Sequence, residues 1–291
     1  MTTVSIVIPV FNAEKYIAEC VDSALNQSFK DIEIIAINDG SSDRSLEILK
    51  QYTDKIKIIS KENGGTASAL NAGIKIMTGD WFKWLSADDV LYPNAIDELI
   101  SESNKVENNE KCIFYSNYDI INSHGKIIKH FIEPNYNNLT SFELNVILLD
   151  HFIGNATTSL IPKLAIDHFG KFDEQIGFAE DYDLWLRYCL LYNCRLHLVP
   201  KILAKYRVHE TQLSKEKILT AFENKEKIKK LVLSKMDQSK REKYEIALKQ
   251  FRKNEELSIK SRHMVRDLIL RFLPKAASKK IIKKYLDFKK D

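Results

Sequence analysis

Apolar positions in the first 120 residues follow two alternating rhythms. Residues 4–10 (VSIVIPV) and 32–37 (IEIIAI) are short, β-branched and nearly continuous in apolar character, as strands buried on both faces of a parallel sheet are. Between them Tyr16, Ile17, Cys20, Val21, Ala24 and Leu25 recur at helical spacing over residues 14–27, which predicts a β-α-β unit. The alternation continues. Ser42 or Asp43 is placed to cap a helix through about residue 52, residues 56–59 predict a third strand, 66–77 a second crossover helix and 81–85 a fourth strand. Pro93 suits the first turn of the helix after that, and 111–116 supplies a fifth strand. The expected fold is α/β, a doubly wound, mostly parallel sheet whose ligands gather at the carboxyl ends of its strands.

Past residue 120 the pattern loosens. Residues 119–140 read as a polar hairpin or loop, 141–168 as short helical and extended pieces, 180–193 as a helix and 201–208 as an edge strand. From 215 to the end only helical periodicity and lysine remain, which predicts a C-terminal helical appendage. Charge sharpens this boundary. Residues 215–291 hold 24 of the 44 Lys and Arg but only 11 of the 40 Asp and Glu, a balance of +13 against −9 for residues 1–214. An acidic body carries a basic tail, and the two are expected to meet different partners.

Composition excludes several classes. With 44% hydrophobic and 29% charged residues in a chain of 291, a sizeable core can be buried and wholesale disorder is ruled out. No stretch approaches the roughly 18–20 apolar residues of a membrane span. The opening MTTVSIVIPVFN lacks the basic and long apolar regions of a secretory signal. Cys20, Cys112, Cys189 and Cys194 form no CxxC pair, as expected of a reduced, cytoplasmic chain without structural zinc.

Polar groups follow three of the predicted strands. Pro9-Val10-Phe11-Asn12 ends the first, Asn38-Asp39-Gly40-Ser41-Ser42-Asp43 the second and Ser86-Ala87-Asp88-Asp89 the fourth. Parallel strands bring all three to one edge. Carboxylates in one crevice repel, so unless they face water they need a cation or hydrogen-bond donors. An oxygen-lined site of one or two carboxylates plus substrate phosphates is what Mg²⁺ or Mn²⁺ prefers, and a diphosphate bridged by such an ion is the economical reading. Each piece alone is also an ordinary turn and helix cap; three at one edge favour a site. The first turn holds no glycine, so the G-x-G-x-x-G dinucleotide fingerprint is absent. The P-loop and the G-x-S-x-G hydrolase elbow are absent too.

These residues belong to a longer ordered series: SIVIPVFN (5–12), NDGSSD (38–43), ENGGTASALNAGI (62–74), GDWFKWLSADD (79–89), GKFDE (170–174), EDYDLWLR (180–187) and YRVHETQLS (206–214). Seven motifs in this order resemble family 2 glycosyltransferases over about residues 3–214. The resemblance implies a GT-A fold with a nucleotide-sugar-binding half (about 1–120) and an acceptor half (121–214), followed by the basic helical region 215–291. It also implies an inverting transfer from a nucleotide-diphospho-sugar, more often UDP-linked, to a surface-glycan or lipid-linked saccharide. In that pattern Pro9, Val10, Phe11 and Asn12 flank the base and Asp39 hydrogen-bonds it, while Gly65, Asn71 and Ala87 line the donor and Asp88 contacts its ribose. Asp89 and His209 would hold Mn²⁺ or Mg²⁺; Asp181 would be the general base, with Glu180 orienting the acceptor. Three positions depart from the pattern: Ser86 replaces the first carboxylate of DxDD, Asn38 replaces a frequent Asp, and Leu70 stands where a basic residue is common.

The chemistry stands without the family. Displacement at an anomeric carbon needs a base on one face and a stabilised leaving diphosphate on the other. Asp181 fits the base, although its place at a helix start also suits capping; Asp183, on a different face, suits a structural salt bridge. Trp81, Trp84 and Trp185 read as core or crevice wall, and Phe172-Asp173-Glu174 as a turn supporting the acceptor lid. Ser86 and Leu70 leave open a nucleotide-binding but inactive subunit of a glycan assembly complex. A nucleotidyltransferase is disfavoured, because its glycine- and arginine-rich first loop is missing. In the tail, Leu268, Ile269, Phe272 and Leu273, then Ile281, Ile282, Tyr285, Leu286 and Phe288, recur at helical spacing among lysines. Such helices suit peripheral contact with an anionic membrane, or packing on the chain's own core or a second subunit in a homo-oligomer. Nucleic acid is disfavoured by the acidic body and the lack of stacking aromatics.

Overall fold

The computed structural model describes residues 2–210 and 218–257. The apolar tail positions from Leu268 onward lie outside them, as do residues 211–214 of the last motif. Strands β1 (Val4–Val10), β2 (Ile32–Asp39), β3 (Lys57–Lys61) and β4 (Trp81–Trp84) alternate with helices α1 (Ile17–Leu25), α2 (Ser45–Lys50) and α3 (Thr66–Ile76). They pair in parallel in the order β3-β2-β1-β4, with Val4 opposite both Ile32 and Trp81. β1 is buried on both faces, as its unbroken apolar run requires. Helix α3 lies tightly on it: a Cβ at Gly73 would come within 2.3 Å of Val7 Cγ1, so only glycine fits there.

The chain then reverses the sheet's order. After β5 (Val90–Leu91), α4 (Ala95–Ser103), β6 (Cys112–Ile121) and β7 (Ile127–Phe131) come α5 (Ser141–Asp150), β8 (Leu160–Pro162), α6 (Lys163–Phe169) and α7 (Glu180–Leu186). The last strand is β9 (Arg195–Arg207), followed by helices α8 (Ile218–Ser234) and α9 (Gln238–Leu257). β8 runs antiparallel against β4, β6 antiparallel against β8, and β9 parallel to β6. β4, β6 and β9 therefore point the same way, and their carboxyl ends emerge on the edge that β1 and β2 also reach.

The expected mixed α/β fold with C-terminal helices is what the chain adopts. Its details differ in four places. Pro93, expected in the first turn of α4, lies before the helix, whose N-cap residue is Asn94. The fifth expected strand is longer, running to Ile121, and pairs with β7 as a hairpin. The helix expected over 180–193 is α-helical only to Leu186 and continues as a π-helical turn, Arg187–Leu191. The expected edge strand 201–208 is the second half of β9, which lies between β6 and β5 rather than at the edge. Its lysines are accommodated there because Lys201 reaches out to Glu98 at 2.5 Å and Lys205 lies 5.0 Å over the Tyr92 ring.

Two apolar cores cover the sheet faces, one under α1, α2 and α4, the other under α3, α5, α6 and α7. Ile228, Val232 and Leu233 of α8, with Tyr244 and Leu248 of α9, are buried in the second core. Among the described residues, no helix is long and apolar enough to cross a membrane, and the four cysteines are buried free thiols.

Candidate active site

The first two strand ends are knitted together. Asn12 adopts a left-handed conformation (φ 50°), and its Oδ1 accepts from the Ser42 amide at 2.8 Å. The Ser41 hydroxyl lies 3.1 Å from the Asn12 amide, and the Asp43 carboxylate accepts from the Glu14 amide at 3.0 Å. Partial burial works against ionised Asp43, but the Ser45 hydroxyl and the Glu14 and Ser45 amides outweigh it and hold its carboxyl below the ordinary range. Pro9 is partly covered, Val10 is buried, and Phe11 stands 45% exposed at the strand end. That leaves an apolar ring open at the rim of the cleft.

Asp39 is buried, and its carboxylate is saturated by protein. It pairs with Lys61 at 2.7 Å and accepts from the amides of Gly64 (3.0 and 3.2 Å) and Gly65 (2.8 Å). Gly65, at φ 85°, turns the chain into α3 there. Asp39 thus anchors the loop into α3; to accept from a base as well, it must release one of these donors. Asn71, expected at the donor, instead grips the 172–174 turn. Its side chain donates to the Phe172 carbonyl (2.9 Å) and Glu174 Oε1 (2.8 Å), and accepts from the Phe172 amide (3.1 Å). The 172–174 turn is fastened to α3 through this one amide.

The two adjacent carboxylates have different surroundings. Asp89, expected to hold the metal, is fully buried. Its oxygens accept from the Thr157 hydroxyl at 2.5 Å and the Arg207 amide at 2.8 Å. Burial, with the Asp88 carboxylate beside it, pushes its pKa well above the carboxylate range. Enclosed in this way, Asp89 holds β9 against the β4 turn and presents no oxygen to the cleft. Asp88 is the partly exposed one, with Oδ2 3.1 Å from His209 Nε2. His209 follows β9 and reaches Asp88 because β9 and β4 emerge on the same edge; its ring packs on Tyr16 at 4.9 Å. Ala87, just before Asp88, is buried. Ser86, at the missing carboxylate, is 3.0 Å from the Thr157 hydroxyl and donates its amide to it at 3.2 Å.

Asp181 opens α7 after a sharp turn at Ala179, which is left-handed (φ 75°). Burial raises its pKa above the ordinary value although it accepts from the Tyr182 amide at 2.8 Å. Glu180 is buried beside it. Asp183 makes the expected structural ion pair, with Arg187 at 2.7 Å. Trp81, Trp84 and Trp185 are all buried, Trp84 edge-on to Phe172 at 5.4 Å. Three carboxylates of the motif series thus have distinct surroundings: Asp88 partly open beside an imidazole, Asp89 enclosed, Asp181 largely desolvated.

Sequence reasoning passed over Arg207, Thr157 and Lys83. The buried Arg207 guanidinium donates to the Asp88 carbonyl (2.8 Å) and Glu19 (2.5 Å) and stacks 4.7 Å over the Tyr16 ring. Its place in YRVH was the available signal. Lys83 is wholly buried in β4, donates to the carbonyls of Trp84 (3.2 Å) and Thr157, and has its pKa pushed down to about 7 by burial. Its position within an apolar strand was the signal. Thr157 carries none, since only folding brings it to the acidic turn.

Comparison with known proteins shows the family and the fold. The family model described as Glycosyl transferase family 2 matches residues 5–168. An uncharacterized glycosyltransferase of Rickettsia typhi is 40% identical over 210 residues, covering 72% of this chain and 65% of the relative. A Pasteurella multocida chondroitin synthase is 34% identical over 187 residues, 63% of this chain and 18% of the relative. The chain thus spans less than two thirds of the length of these relatives. Among solved structures, S. aureus TarS 1–349 in complex with UDP-GlcNAc superposes with a TM-score of 0.64 at 18% identity, covering 94% of this chain and 82% of that one. That likeness is one of fold.

Proposed function

Because the chain belongs to glycosyl transferase family 2, we propose that it is an inverting transferase. It moves a sugar from a UDP-linked donor to a hydroxyl of a saccharide acceptor, with Asp181 as base. The observation that carries this reading is the convergence of Phe11, the Asp39–Gly65 loop and the Asp88–His209 pair on one sheet edge. The UDP and UDP-GlcNAc complexes of TarS support a uridine donor and an N-acetylhexosamine. The chondroitin and hyaluronan synthases of Pasteurella support a saccharide acceptor.

A divalent cation fits the residues present. Asp88 and His209 offer one oxygen and one nitrogen donor, an incomplete set that diphosphate oxygens would complete and that suits Mn²⁺ or Mg²⁺. Asp88 takes this role in place of the enclosed Asp89. Such an ion supplies neutralisation of the charge that develops on the departing diphosphate. Phe11 packs on the base, and the glycine-rich loop held by Asp39 forms the wall next to it. Asp181, with its pKa raised by burial, is a stronger base than a free carboxylate and takes the acceptor proton as the hydroxyl oxygen bonds to the anomeric carbon. Direct displacement on one face inverts that carbon. The four buried thiols support a cytoplasmic setting.

The test is a thermal-shift panel of UDP, GDP, dTDP and CMP, each with and without Mn²⁺. A ligand at about 100 times its dissociation constant adds roughly 2.7 kcal/mol to stability. A manganese-dependent shift with UDP, lost in Asp88→Asn, is the expected result. No shift with any nucleotide would overturn the donor assignment.

A further inference from the structure

We infer that Asn224, on the C-terminal helix α8, is a positioning residue for the proposed base Asp181; this rests on the reading of Asp181 given above. The stretch from Gly170 to Ala179 leads into the base and has little regular structure of its own. Gly170, Gly177 and Ala179 all adopt positive φ (91°, 74° and 75°), so the backbone needs outside partners to keep one path. Two are local to the body. Asn71 grips Phe172 and Glu174, and the neighbours Arg187 and Tyr188 together donate to the carbonyls of Lys171 (2.9 Å) and Gly170 (2.6 Å).

The third comes from beyond the motif series. The two N–H groups of the Asn224 amide donate to the carbonyls of Ile176 (2.9 Å) and Phe178 (3.0 Å), on either side of Gly177. Asn224 is itself buried, so its amide is held rigidly and the two bonds are shielded from water. Phe178 is three residues before Asp181. The next residue of α8 packs against the helix that carries the base. Lys225 is buried, donates to the Asp150 carbonyl, and lies 5.2 Å over the Phe152 ring and 5.8 Å over that of Tyr182. Tyr182, adjacent to Asp181, in turn donates to the Leu148 carbonyl at 3.1 Å. α8 therefore holds the loop that delivers the base and the helix that carries it. Because a 1 Å error in a reacting group can cost about a hundredfold in rate, a clamp this near the base acts on turnover rather than on donor binding.

The experiment measures sugar transfer to acceptor in the full chain. Asn224→Asp is nearly isosteric and cannot donate to the two carbonyls; Asn224→Ala removes the amide. Leu248→Ala shortens a buried side chain of α9 in the same core and leaves both hydrogen bonds to residues 176 and 178 in place. The Asn224 variants are expected to lose tenfold or more in kcat with donor KM within twofold. Leu248→Ala is expected to lower the melting temperature with kcat per folded molecule unchanged. If both Asn224 variants keep kcat within twofold, or lose it only with a parallel rise in donor KM, the positioning role is overturned. Hydrogen exchange on the wild-type chain is independent of variant folding. The Asn224 side-chain N–H groups are expected to be as protected as the backbone amides of α8, and fast exchange of them beside a protected α8 would overturn the clamp. Asp181→Asn in the same assay separates the two ideas: full transfer by that variant overturns the base assignment, whatever the exchange shows.

Discussion

In residues 4–84 each strand is followed by a helix that returns over the sheet and starts the next strand nearby. Beyond residue 112, apart from the β6–β7 hairpin, strands pair with partners distant in sequence: β8 meets β4, and β9 meets β6. The first region builds a cleft wall from backbone and tight turns, as with the Asp39–Gly65 loop. The second places its chemistry through side-chain clamps across long separations, such as Asn71 on Phe172, Asp89 on Arg207 and Asn224 on Phe178. Local β-α-β units fix where a ligand can lie; clamps fix where the reacting groups point. Variants should therefore separate into those that lose the donor and those that lose the reaction.

The largest expected effect is in the second region. Asp181→Asn should cut transfer by about 10³-fold, with the UDP-induced thermal shift unchanged. Retained transfer would remove the base from this region altogether. The acidic turn joins the two regions, and its neighbours should divide. Asp89→Ala leaves the Arg207 amide unpaired in the core and the Thr157 hydroxyl with Ser86 alone, at a cost of about 2–3 kcal/mol, read as a fall of several degrees in melting temperature without ligand. Asp88→Asn should leave that temperature unchanged and abolish the manganese-dependent part of the UDP shift.

The first region has its own acid sensitivity. Glu33 is partly buried, which alone would raise its pKa. Lys57, the Ser5 hydroxyl and the Thr78 amide and hydroxyl outweigh this and lower it to about 2. An unfolded chain binds the proton more tightly than the folded one, so this stabilisation is full above about pH 4.5 and drains as pH falls towards 2. With the carboxylate only partly buried, screening by water reduces its size to about 2 kcal/mol, and Glu33→Gln should flatten the stability profile in that window. The smallest effect is at Asn71→Ala. It should cost about 1–2 kcal/mol and speed amide exchange in residues 170–174 while leaving β1–β3 protected, which tests whether the turn is fastened from α3 alone.

The same contrast explains what was legible before folding. Continuous β-branched runs and the helical spacing of Tyr16 through Leu25 announce a parallel sheet, because every such signal is local. The motif residues at strand ends were visible because parallel topology sends them to one edge. Which of two adjacent carboxylates faces the cleft was not visible. That depends on Thr157 and the amide of Arg207, 68 and 118 positions away from Asp89. The inward turn of β9 was hidden for a related reason, since long lysines can leave a covered strand by its flank. Asn224 gave no signal, because an asparagine in a lysine-rich helix reads as surface until its partners are known.

Lys83 has a consequence for the chain while it is being made. In the finished sheet β4 is an interior strand, but its partner β8 begins 79 residues after Trp81. At synthesis rates of about 5–20 residues per second, β4 is an open edge for roughly 4–16 s. An apolar edge of Trp-Phe-Lys-Trp would invite pairing with another nascent chain, and a lysine charged in water is a deterrent to that pairing. Once β8 arrives, the carbonyl of Thr157 caps the amine and burial lowers its pKa to about 7. The residue that the folded core carries at a cost guards the strand before the core exists.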